Sequence, residues 1–157
     1  MLTSNVERLC NGAQYEKSHL PELRQEVQSP QLRDIIGRQI ANSEARREHM
    51  NEILNLLQIF CDRSNTNWVV EHIIESAKDV AVKSSNHQAK DACVLSYMQQ
   101  LSQYNLAEYG TAYFYSSILG FSFNAHDLLE TMAEEREINQ QLALLDENNP
   151  VEKPEIF

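Results

Sequence analysis

The chain has 157 residues, with 13 Lys and Arg against 23 Asp and Glu, giving a net charge of −10 at pH 7. Such a balance repels phosphate backbones and anionic lipid, which argues against nucleic acid and membrane as partners. With four Gly, four Pro and 42% apolar residues, the composition excludes collagen-like and disordered chains and points to one all-α domain of long helices. No apolar run approaches the ~18–20 residues of a spanning helix, and no basic, then apolar leader opens the chain, so a cytoplasmic location is expected. Cys10, Cys61 and Cys93 are odd in number and form no C-x-x-C, which suggests reduced, buried thiols.

Ser4 to Glu7 has the form of a capping box and predicts a first helix over about 5–28, kinked or broken near Ser18 to Leu20 by Pro21. Ser29-Pro30 supplies an N-cap hydroxyl and Pro at N1, opening a second helix over about 30–61. Its apolar series Leu32, Ile36, Met50, Ile53, Leu57 and Phe60 passes through Gln39, Ser43 and Arg46 where Leu or Ile is expected, predicting a polar band on the buried face. After a polar turn at 62–67, Trp68, Val69, Ile73, Ala77 and Val80 mark a shorter helix ending near Ser84. Ser85 to Gln88 reads as a capping box for a third long helix that stops at Gly120. Asn124 is placed as the cap of the last helix, with 147–157 as an acidic, loosely held tail after a bundle over 1–146. Two long helices, a crossover with a short helix and two more long helices form the connectivity of a ferritin-like four-helix bundle.

Three segments resemble one family over roughly residues 6–145. Gln103 to Thr111, Leu129 to Arg136, and Leu20-Pro21 followed by Ser29 to Leu32 are similar to segments of the YciE/YciF-type ferritin-like family, bacterial proteins associated with stress. The resemblance implies a two-metal carboxylate site at the bundle centre. Counted without gaps from Pro21 and Pro30, the implied ligand positions fall on Ala13, Asn42, Arg46, Ser102, Asn105, Glu135 and Asn139. One carboxylate facing an Arg cannot neutralise two divalent cations, so the site reads as degenerate, without metal or other cofactor. An insertion of three residues would instead align Glu16-Lys17 with the family's first-helix acid.

The first reading is therefore a non-enzymatic, metal-free ferritin-like protein, homodimeric, whose biochemical role is unknown. Arg46 is expected to pair with Glu135, with Asn105 and Asn139 adding hydrogen bonds. A second reading is a divergent di-iron or di-manganese oxidase or storage protein using Glu16, Glu44, His49, Glu108 and Glu135. A third is an acidic module that docks a basic protein partner. Glu16 and His19 form a Glu-x-x-His pair more simply read as a solvated face, as are His49 with Glu52 and His72 with Glu75. Gly12, Gly37 and Gly110 suit close helix approach. The aromatic residues of the third helix suit core or interface packing. Trp68, Val69, Ile73 and the Phe121/Phe123 pair are expected to form an apolar dimer face.

Overall fold

The computed structural model describes residues 2–148, apart from the side chains of residues 2 and 122–124. Its elements are α1 (Leu2–Glu26), α2 (Pro30–Leu56), α3 (Trp68–Lys83), α4 (His87–Ile118) and α5 (Ser122–Asn148). Each start has a local chemical cause. The Ser29 hydroxyl accepts from the Leu32 N–H at 3.2 Å, with Pro30 following it. Asn67 and Asn86 cap α3 and α4 by accepting from the N–H groups of Val70 and Ala89 at 3.4 and 3.0 Å. The Asp91 carboxylate accepts from the N–H groups of Gln28 and Ser29 at 3.0 and 2.7 Å, which ties the α1–α2 turn to α4.

Several boundaries differ from the sequence expectation. α1 begins at Leu2, so Ser4 to Glu7 lies inside it, and the helix continues through Pro21. α2 ends at Leu56 rather than near 61, where Gln58 takes a positive φ of 56°. Asn86, not Ser85, caps α4, because its amide reaches Ala89. Asn124 lies inside α5, which starts at Ser122 and continues to Asn148, past the expected end at 146. The rest of the expected tail, 149–157, lies outside the described residues.

α1 and α2 pack as a hairpin, α2 against α5, α5 against α4, and α3 covers the seam between α1 and α4. The chain crosses back along the bundle between α2 and α4, which is the ferritin-like arrangement. The apolar interior has two parts. One gathers Leu20, Leu23, Leu32, Ile36, Val94, Met98, Leu101, Ile138 and Leu142 with the inner face of α3. The other, at the opposite end, gathers Val6, Leu9, Met50, Ile53, Leu54, Tyr109 and Leu128. Between them, Gln39, Asn42, Ser43 and Arg46 of α2 are buried, so the polar band expected on α2 points inward.

The expected dimer face is interrupted. Trp68 is exposed, but Ile73 is in the core and Val69 packs against it; the side chain of Phe123 lies outside the described residues. Nor are the thiols alike: Cys10 is buried, Cys61 half-buried and Cys93 exposed.

The crossover loop between α2 and α3 is held against α1 by amides. Asn11 Nδ2 donates to the carbonyls of Asp62 and Asn65 at 2.9 and 2.7 Å, and Asn67 Nδ2 donates to the Arg8 carbonyl at 3.1 Å. Gly12 makes this approach possible, because a Cβ there would meet Asn67 Nδ2 at 2.8 Å. Gly12→Ala should therefore lower stability by about 1–3 kcal/mol through overpacking, outweighing the helix propensity gained, as read by urea denaturation.

Candidate functional site

The polar layer between the two apolar clusters is the densest chemistry in the molecule. Arg46 is 1% exposed, Glu16 0% and Glu135 1%. The Arg46 guanidinium grips Glu16 with two N–H groups, Nη2 on Oε2 and Nη1 on Oε1, the latter at 3.3 Å. Its Nε donates to the Asn42 carbonyl at 3.4 Å and stands 3.9 Å from Glu135 Oε2, within ion-pair reach but not bonded. The guanidinium carbon lies over the Tyr109 ring, 5.2 Å from its centre, a cation–π distance.

Amides complete the network. Gln39 Nε2 bridges the two acids, donating to Glu16 Oε2 at 2.9 Å and to Glu135 Oε2 at 3.2 Å. Asn42 donates to Glu135 at 3.0 Å, Asn105 donates to Glu16 at 2.9 Å, and the Ser102 hydroxyl donates to the Glu135 carbonyl at 3.3 Å. Four helices thus contribute: α1 through Glu16, α2 through Gln39, Asn42 and Arg46, α4 through Ser102, Asn105 and Tyr109, and α5 through Glu135. Two carboxylates face one guanidinium. Burial pushes the Glu135 carboxyl above the usual range, against the pull of Arg46, whereas Arg46 stays firmly protonated despite burial because Glu16, Tyr109 and Glu135 surround it. Among the described residues, Glu135 Oε1, Gln39 Oε1 and the Tyr109 hydroxyl have no hydrogen-bond partner.

This geometry revises the expected residue placements. Ala13 is buried but has no ligating atom, and Glu16, one turn further along the same face, is the acid of α1 at the centre. Glu16 is therefore not on a solvated face. Its sequence neighbour His19 is half-buried elsewhere, stacked on Tyr15 and 2.9 Å from Lys78 Nζ. The bonded partner of Arg46 is Glu16 rather than Glu135, and Asn105 serves Glu16. Asn139 is only partly buried and is not in the network. Of the acids and His considered for a shifted metal site, Glu16 and Glu135 meet at the centre. Glu44 lies outside, between Lys17 and Arg47, and those two cations hold its carboxyl below the usual range. Glu108 accepts from Arg8 at 2.7 Å and Asn5 at 3.2 Å. His49 is half-buried, and its Nδ1 has no partner among the described residues.

A two-metal carboxylate centre does not fit these residues. Its cations need several anionic oxygens, whereas a fixed cation here fills the space beside Glu16 and within 3.9 Å of Glu135. Among the described residues, no three His, Cys, Asp or Glu side chains come together as a metal-holding group.

The bundle and its central polar layer define the class as a ferritin-like helical protein. Over residues 14–152 the chain matches the family described as "Domain of unknown function (DUF892)", and it belongs to that family. It is 31% identical over 86 residues to Protein YciF of Escherichia coli strain K12, across 55% of this chain and 52% of that protein. The aligned stretch thus spans about half the length of that relative. The crystal structure of the E. coli stress protein YciF superposes with a TM-score of 0.87 at 20% identity, covering 97% of this chain and 96% of that one. YcfI from Rhodopseudomonas palustris gives a TM-score of 0.82 at 18% identity, with 90% of each chain covered. The family relationship drawn from the sequence segments, to the YciE/YciF type, therefore stands.

Breaking the central pair should be costly. Arg46→Ala or Glu16→Ala should each lose about 3–5 kcal/mol, because each strands a buried charge, while Glu16→Met with Arg46→Met should cost far less. Asn139→Ala should fall within about 0.5 kcal/mol of the parent. Denaturant midpoints of the four variants read all of this.

Proposed function

We propose that this chain is a non-enzymatic, metal-free member of its family, in which a buried ion-pair network stands where a di-metal centre would otherwise join the helices. The observation that carries the reading is Arg46, a guanidinium that cannot readily shed its proton, seated on Glu16 at the meeting point of four helices. A divalent ion placed there would have to displace or neighbour that fixed charge, which is unfavourable at low effective dielectric. Likeness to the E. coli stress protein YciF supports a stress-related setting, and a cytoplasmic location is part of the same proposal. Among the described residues, no helix is long and apolar enough to cross a membrane.

The test is metal analysis after reconstitution with iron(II) or manganese(II) and desalting. The expected result is much less than one ion per chain. About two ions per chain, the loading of a di-metal carboxylate bundle, would overturn the reading in favour of an oxidase or storage protein.

The protein is further proposed to form a homodimer through the end of the bundle where α2 and α4 finish. There Leu56 and Phe60 are 60% and 97% exposed, and Phe114, Ile118 and Leu119 are 60%, 63% and 56% exposed. Apolar side chains in such number at one end favour burial against a second copy. Light scattering should give twice the chain mass, and Phe60→Glu with Ile118→Glu should return it to the monomer mass.

A further inference from the structure

Cys10 and Cys61 are far apart in sequence and meet in space. Cys10 lies on α1 and Cys61 on the crossover loop that packs against it, and the fold brings the two residues to the wall of the same cavity. Both residues line one surface cavity of about 340 Å³, together with Asn11, Asn51, Arg47 and Arg63. Each thiol is also oriented by an amide: Cys10 Sγ donates to Asn51 Oδ1 at 3.2 Å, and Cys61 Sγ donates to Asn11 Oδ1 at 3.4 Å. Asn11 at the same time clamps the loop through the Asp62 and Asn65 carbonyls. The loop that carries Cys61 is thus already docked on the helix that carries Cys10, so little chain entropy remains to be lost on joining them.

We propose that Cys10 and Cys61 form a peroxide-oxidisable dithiol, a modification site that closes to an intramolecular disulfide between α1 and the crossover loop. Cys61 is the entry point, since it is the more exposed of the two. Its thiolate attacks one oxygen of a hydroperoxide: an S–O bond forms, the O–O bond breaks, and the leaving oxygen takes a proton as water or alcohol. Cys61 is thereby oxidised by two electrons to the sulfenic acid and the peroxide is reduced. The Cys10 sulfur then attacks Cys61 Sγ: the S–S bond forms, the S–O bond breaks, and the departing hydroxide leaves as water with the proton from Cys10.

The surroundings set the pace of the first step. Burial pushes Cys10 up to about 12 and raises Cys61 as well; Arg63 opposes the shift at both thiols, Arg47 opposes it at Cys10, and Glu7 and Asp62 reinforce it at Cys61. The pair is therefore a slow responder rather than a peroxidase, with Cys10 protected until a partner sulfur is oxidised beside it.

The test uses the full-length reduced protein titrated with hydrogen peroxide, then alkylated and mapped by mass spectrometry without reduction. The expected result is a cross-linked peptide pair containing Cys10 and Cys61, with Cys93 alkylated, and loss of two of the three free thiols. Cys93→Ser should keep this cross-link and Cys61→Ser should abolish it, leaving Cys10 alkylated. Cross-linked protein should also show a raised melting temperature that dithiothreitol returns to the starting value. Recovery of Cys10 and Cys61 as alkylated thiols in the wild-type protein at peroxide doses that oxidise Cys93 would overturn the proposal. So would disulfides found only between chains through Cys93.

Discussion

Arg46 is the constraint around which the bundle is arranged. A guanidinium keeps its charge under any condition in which a protein is folded, so burying one obliges the surrounding helices to provide acceptors. Glu16 meets the planar fork with both carboxylate oxygens, and Gln39, Asn42 and Asn105 orient the two acids through hydrogen bonds. Because the two acids and the amides around them come from four different helices, the network they form with the cation ties α1, α2, α4 and α5 together at one level of the bundle. Leu-on-Leu contacts above and below the layer supply bulk stabilisation, but they tolerate small slips that a bidentate ion pair does not.

The same logic underlies the proposal that this layer holds the helices together without metal. A metal centre and a buried ion-pair network solve one problem in two ways, since each gives inward-facing carboxylates a positive partner. Here the positive partner is covalently part of α2. The second carboxylate, Glu135, is in excess of the single cation, and burial raises its carboxyl above the usual range against the pull of Arg46.

Fold and site were legible in the sequence to different degrees. Caps written in side chains, such as Ser29 before Pro30, and stops such as Gly120 act within a few residues, so they could be read directly. At Pro21, inside the expected helix over about 5–28, the chain does not break: α1 runs through it, with Leu20 and Leu23 on either side both held in the core. The burial of Gln39, Ser43 and Arg46 followed from helical period alone. The identity of the partner of Arg46 did not, because Ala13 and Glu16 lie on one face, three residues apart, and counting from Pro21 cannot say which of them sits at the level of α2's polar band. Asn139 failed for the complementary reason, since one turn beyond Glu135 the helix face has rotated partly to solvent. The meeting of Cys10 with Cys61 had no sequence signal, because it depends on a crossover loop folded back by Asn11 and admitted by Gly12.

On the proposed reading, a protonated Arg46 guanidinium bonded to Glu16 occupies the heart of the bundle in place of metal. That occupancy is tested most directly by nitrogen-resolved NMR of the Arg46 Nε–H group, recorded with and without excess manganese(II). The expected result is a slowly exchanging Arg46 Nε–H whose signal keeps its width when the paramagnetic ion is added. A rapidly exchanging signal, or one broadened away at about stoichiometric manganese, the loading of an occupied centre, would contradict it.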